Sequence, residues 1–137
     1  MPDDALPTPL FELEAVIDDA ARDLRERRRD DGHWVFPLEA DATISSEFIL
    51  LMHYLDEVDA ALEADLADYV RSLQADHGGW PLFHGGGLNV SASVKAYYAL
   101  RLAGDPADAP HLVRARDAIL AHGGAAASNV FTLYTLA

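Results

Sequence analysis

The acids Asp56, Glu57, Asp59, Glu63, Asp65 and Asp68 crowd one stretch of the chain. Divalent-metal binding on a helix is the chemistry they could serve, and it needs carboxylates one turn apart on one face, as an Asp-Asp-x-x-Asp run supplies. No such run occurs. The acids leave the apolar stripe Leu62, Leu66, Tyr69, Val70 and Leu73 untouched, so they read as the solvated side of an amphipathic helix. The six histidines, His33, His53, His77, His84, His111 and His122, include no HExxH or other paired spacing, and loop or capping roles suit them better than metal ligation. Gly85-Gly86-Gly87 lacks the Gly-Lys-Ser/Thr of a phosphate loop and reads as a flexible turn. Arg22, Arg25, Arg27, Arg28 and Arg29 could meet a phosphate or an anionic membrane. Their place at the end of a helical pattern fits a solvated last turn, where cations suit the carbonyl end of the dipole.

The residues with a definite chemical task sit in "SLQADHGGWPLFHGGG" (Ser72 to Gly87). Gly78 and Gly79 permit the left-handed or tight backbone that ends a helix. The Gln74 amide carries donors and an acceptor for exposed backbone groups at a neighbouring helix end, and Trp80 offers a flat face on which that amide can lie. A worn copy of the phrase stands 46 positions earlier in "RRRDDGHWVFPLE", and Gly123-Gly124 fills the corresponding place a third time.

These turns need helices on both sides, and the apolar spacing supplies them. Leu10, Leu13, Ile17, Ala20 and Leu24 mark a first helix ending near the arginines. Ile44, Phe48, Leu51 and Leu55 mark a second, with Thr43 or Ser45 as its cap. The Leu62-to-Leu73 stripe is the third. Val90, Val94, Tyr97 and Tyr98 mark a fourth, capped by Asn89 or Ser91 and stopped at Gly104-Asp105-Pro106. Leu112, Ala115 and Ile119 carry a fifth, and "SNVFTLYTLA" opens a sixth behind Ser128 or Asn129. No segment alternates with period two, so the fold class is all-α. A period of 40 to 50 residues with two helices per unit points to a solenoid or a closed α/α toroid.

The composition bounds the rest. The 137 residues are half apolar, 24% charged and carry a net charge of -13, which leaves no basic face for nucleic acid. Without cysteine there is neither a disulfide framework nor a thiolate metal site. The longest apolar run, Phe48 to Met52, is far short of a membrane span. The acidic, proline-broken "MPDDALPTPLFE" is no signal peptide, and residues 1–9 are expected to be disordered. The default address is the cytoplasm.

Tyr69, Gln74, Gly78 and Trp80 resemble the QW repeat of the triterpene cyclases. "DGHWVFPLEADATISSEFILLMHYLDE" (Asp31 to Glu57), "GGWPLFHGGGLNVSASVKAYYALRLAGD" (Gly78 to Asp105) and "ILAHGGAAASNVFTLYTLA" (Ile119 to Ala137) are similar, in order, to the amino-terminal region of bacterial squalene–hopene cyclases. The first repeat is degenerate. It keeps Gly32 and Trp34, but Arg28 holds the glutamine position; the third has glycines and no tryptophan.

The resemblance implies two α/α barrels, with residues 1–137 forming the leading segment and much of the non-catalytic, inserted barrel. It implies that the QW turns tie outer helices together. Glu39 and Asp41, in the most similar stretch, read as helix-entry and inter-helix hydrogen-bonding groups. It implies a parent that cyclises squalene to hopene and hopanol by protonating an alkene, with no metal or organic cofactor. The acid for that step comes from an Asp-x-Asp-Asp motif, which is absent here, so this stretch alone is expected to be inactive. The parent would be a monotopic protein on the cytoplasmic side of the cell membrane, taking squalene from the bilayer. It would be homodimeric, and the rest of its chain would pack on this part.

The apolar pattern of Phe131, Leu133, Tyr134 and Leu136 is still running at Ala137, which reads as a piece of something longer that would self-associate by itself. Two other readings stand beside this one. A stand-alone helical-repeat module would bind a partner or an apolar ligand without catalysis. The sterol-forming branch of the cyclases shares the QW turns but matches the three stretches less well.

Overall fold

A computed structural model describes residues 10–36 and 40–137. Every regular element among them is helical: α1 (Leu10–Glu26), α2 (Ala42–Tyr54), α3 (Ala60–Ser72), α4 (Val90–Leu102), α5 (Pro110–Ala121), a 3-10 turn (Ala125–Ala127) and α6 (Val130–Leu136). The all-α expectation holds, and each expected helix is present. Residues 1–9 and Glu39 lie outside the described residues. The backbone divides into two compact units, Met1–Leu38 and Glu39–Ala137.

In the first unit α1 carries Leu13, Val16, Ile17 and Leu24 exposed. Asp19 and Asp23 pair with Arg22 and Arg27 one turn on, at the solvated surface. The arginine cluster is thus largely the solvated helix end its sequence implied.

The core of the second unit mixes large side chains, Ile49, Leu50, Met52, Val70, Trp80, Leu100 and Leu112, with small ones where helices meet. α2 packs chiefly against α4. Its buried side is Ala42, Ser45, Ser46, Ile49, Leu50 and Met52, and α4 answers with Ala92, Ser93, Ala96, Ala99 and Leu100. Short side chains at one-turn spacing let two backbones approach closely. The Ile44, Phe48, Leu51, Leu55 stripe that announced this helix is therefore not its buried face: all four are exposed. The cap differs too. Asp41, not Thr43 or Ser45, accepts the Thr43 N–H at 2.8 Å, in keeping with a helix-opening role for Asp41. A carboxylate with extended backbone reaches the orphan donors that a residue already inside the first turn cannot. Asp59 does the same for α3, Asn89 for α4 and Asn129 for α6.

One ion pair crosses the α2–α4 contact, with its lysine buried and its glutamate partly exposed. Lys95 is the chain's sole lysine, 5% exposed, and its ammonium lies 2.5 Å from Glu47.

Three helices of this unit end in the same way. Gly104 (φ +100°) and Gly123 (φ +95°) close α4 and α5, and Asp56 (φ +56°) closes α2. In each case the following N–H reaches back five residues, as Glu57 does to Met52 at 3.0 Å. Asp56 is the non-glycine residue in this set. Asp56→Gly is expected to stabilise the chain by about 0.5 to 1 kcal/mol, since glycine enters the left-handed region without a Cβ clash. Urea unfolding of the two proteins side by side checks this.

Candidate functional site

The turn between α3 and α4 gathers the sequence-nominated residues. α3 ends at Ser72, Ala75 donates to the Gly79 carbonyl at 3.0 Å, and Gly78 (φ +88°) donates back to Ala75 at 2.9 Å. Gln74 lies over this loop. Its amide donates to the Gly78 carbonyl at 2.7 Å and to the His111 carbonyl of α5 at 2.8 Å. Its carbonyl oxygen accepts from Arg114 at 2.7 Å. One side chain thus holds its own turn and the first turns of α5.

Trp80 works in the opposite direction. It is wholly buried, and its indole N–H donates to the Val70 carbonyl at 2.7 Å, meeting an acceptor at the end of α3. Its backbone N–H donates to Ser93 Oγ of α4 at 2.9 Å. Tyr69 donates its hydroxyl to the Ala40 carbonyl at 2.6 Å, fastening α3 to the segment that opens α2. Tyr69, Gln74, Gly78 and Trp80 therefore reach all the helices around them. Among the described residues, none hydrogen-bonds to a carboxylate or a nucleophile cluster.

The first repeat, inside its own unit, reproduces this geometry. Trp34 donates its indole N–H to Leu24, ten residues back, at 2.6 Å; the Trp80–Val70 separation is the same. Arg29 donates to the His33 carbonyl at 2.9 Å and Gly32 (φ +95°) to Arg29 at 2.8 Å. Arg28 donates from Nε to the Gly32 carbonyl at 2.8 Å, as Gln74 does to Gly78. Its guanidinium also stands 5.5 Å from the Trp34 ring centroid, in the range of a cation–π contact. The turn is degenerate in residue type but not in shape.

Sequence reasoning missed a polar junction beside the clasp. Asp105, just past α4, accepts both arms of Arg71 at 2.9 and 2.6 Å and pairs with His111 Nε2 at 2.7 Å. The Arg71 bonds hold the Asp105 carboxyl below its ordinary value of 3.8, against the opposing effect of its burial, with His111 adding to the lowering. Arg71 is raised by the same bonds. His111 belongs to both networks, through its ring to Asp105 and through its carbonyl to Gln74. Arg71 stands 34 residues before Asp105, and His111, six residues after it, lies across the turn that opens α5, so no single-helix spacing announced the junction.

Asp105→Ala is expected to cost about 2 to 3 kcal/mol, the scale for removing charged hydrogen bonds from a partly buried site. The folded state holds this carboxyl at a lowered pKa, so it binds fewer protons than the unfolded chain. The stabilisation is complete above the ordinary carboxylate value and lost as pH falls through the lowered folded value. Urea midpoints measured from pH 6 down to acid unfolding should show a shallower acid limb in Asp105→Ala.

Among the described residues no three His, Asp or Glu side chains converge to hold a metal ion. An open hollow of about 510 Å³ lies beside the turn, lined in part by Asp41, Gln74, Leu82, Phe83 and His84. No helix among the described residues is long and apolar enough to cross a membrane.

A sequence model of the squalene-hopene cyclase N-terminal domain matches residues 17–137. The squalene–hopene cyclase of Zymomonas mobilis is 56% identical over 127 residues, which is 92% of this chain and 19% of that protein. Its counterpart in Bradyrhizobium diazoefficiens is 56% identical over 126 residues, 91% of this chain and 19% of the relative. The squalene–hopene cyclase of Schizosaccharomyces japonicus is 52% identical over 122 residues, 88% of this chain and again 19% of the relative. The chain thus spans 19% of the length of the curated relatives it matches.

Proposed function

From a chain that belongs to the squalene-hopene cyclase N-terminal domain family, we propose that these residues are the amino-terminal part of an enzyme that cyclises squalene to hopene and hopanol. The observation that carries the reading is the 56% identity to the Zymomonas enzyme along 92% of this chain. The chemistry begins with protonation of a terminal alkene and proceeds through carbocations, and it calls for no metal or organic cofactor. No Asp-x-Asp-Asp occurs in these 137 residues. The acid that donates the proton therefore comes from elsewhere in the enzyme, and the part played here is architectural.

That part is to supply helical hairpins of the non-catalytic α/α barrel, closed by QW turns. Gln74 and Trp80 support it directly, because one reaches forward to α5 and the other back to α3. Such turns resist relative sliding of the hairpins, and in an enzyme that steers reactive cations a fixed wall matters as much as the acid. The enzyme sits on the cytoplasmic side of the membrane as a monotopic homodimer and takes squalene from the bilayer. No observation favours a stand-alone binding module.

The test is a chimera in which this chain replaces the corresponding part of the Zymomonas enzyme, assayed for conversion of squalene to hopene by gas chromatography. Product at a level comparable to the Zymomonas enzyme supports the reading. A soluble, folded chimera that leaves squalene untouched would overturn it. The 137-residue chain alone should give no product.

A further inference from the structure

α2 carries more apolar surface than its own unit covers. One side, Ala42, Ser45, Ser46, Ile49, Leu50 and Met52, is buried, while a second apolar row, Ile44, Phe48, Leu51 and Leu55, faces outward at 67%, 44%, 48% and 51% exposure. The spacing of these four is four, three and four residues, the pattern of knobs that fit between the side chains of a facing helix. The stripe runs about 16 Å along the helix axis. The carboxylate and the imidazole of α2 are already engaged within the unit. Glu47 is held by Lys95, and His53 lies 2.5 Å from Glu63 of α3. No free charge interrupts the apolar seam.

Resting on the function proposed above, we infer that this stripe of α2 is a closing seam of the helical ring, and that its occupant is an apolar helix from the part of the enzyme outside these 137 residues. Two observations favour that occupant. Relatives matched along this chain have it as 19% of their length, so most of such an enzyme is available to cover the seam. Four half-exposed side chains also fall well short of the ~800 Å² per partner that a stable dimer buries. A helix of the same polypeptide needs no such area, because its association is already intramolecular.

The experiment uses Phe48→Asp and Leu51→Asp, each in the 137-residue chain and in the Zymomonas chimera. Ala64→Asp on the exposed side of α3 is the control. The seam predicts unchanged urea midpoints in the short chain. In the chimera it predicts a melting temperature lowered by several degrees and a several-fold loss of soluble enzyme, with Ala64→Asp close to the parent. Equal melting of all chimeras would place the stripe in solvent and overturn the inference. Lowered midpoints in the short chain would assign the stripe to the unit's own core, and would overturn it too. A shift from dimer to monomer in sedimentation, without a change in melting, would make a second copy the occupant and overturn it as well. Melting is read independently of product. A chimera that folds with an intact seam but does not cyclise squalene would count against the proposed function and leave the seam standing.

Discussion

Trp80→Ala is expected to destabilise the chain by about 3 to 5 kcal/mol, the range for removing a large aromatic from a packed interior. Trp80 is fully buried at the meeting point of α3 and α4, so its loss opens a cavity that neighbouring helices cannot readily fill. It also removes the N–H that meets the Val70 carbonyl. Trp80→Phe separates the two contributions. It keeps most of the ring and loses the hydrogen bond, and should cost about 1 to 3 kcal/mol. Urea unfolding followed by circular dichroism gives both values. Near-equal midpoints for Trp80→Ala and the parent would show that the indole holds nothing together. The corresponding change at Trp34, which stays 47% exposed, should cost far less.

Gly78→Ala should cost about 2 to 5 kcal/mol, from two additive sources. A φ of +88° charges any L side chain about 1 to 2 kcal/mol. The new Cβ would also stand 2.9 Å from the backbone carbonyl oxygen of Arg114. A backbone atom in mid-helix cannot swing aside, so the turn and α5 must separate, at about 1 to 3 kcal/mol for overpacking. Gly32→Ala is the internal control. Its φ of +95° carries the same strain, but its Cβ would meet Arg28 NH2, the far end of a flexible side chain. About 1 to 2 kcal/mol is expected there. Paired denaturation curves decide the matter. If the two alanines cost the same, the closeness of α5 to the turn is not what limits Gly78.

Much of this fold was legible because helices announce themselves locally. Leu62 to Leu73 and Leu112 to Ile119 show their period and their stops, and the glycine pairs mark the turns. Gln74 and Trp80 could be singled out because an amide, two glycines and an indole at fixed spacing have a shared task. What stayed hidden depends on the partner of each face. Ile44, Phe48, Leu51 and Leu55 looked like a core stripe because bulk is the usual signature of burial. In α2 the choice of face is made by α4, whose alanines and serines leave room for the side that carries Ala42, Ser45 and Ser46 together with Ile49, Leu50 and Met52. The Asp105 junction was illegible for a related reason. Arg71 and His111 reach it from two different helices, and neither spacing, 34 residues to the first and six across a turn to the second, follows a helical period.

The burial of Lys95 has a practical consequence. It is the only side-chain amine in the molecule, it is 5% exposed, and it lies at the contact between the two most closely packed helices. Acylating reagents added at neutral pH meet an amine that is covered and held by Glu47, so its labelling rate rises with each local opening that frees it. Mass spectrometry separates this site from the terminal amine by peptide. The protein thus carries its own clock for the breathing of its core, readable without introducing a probe.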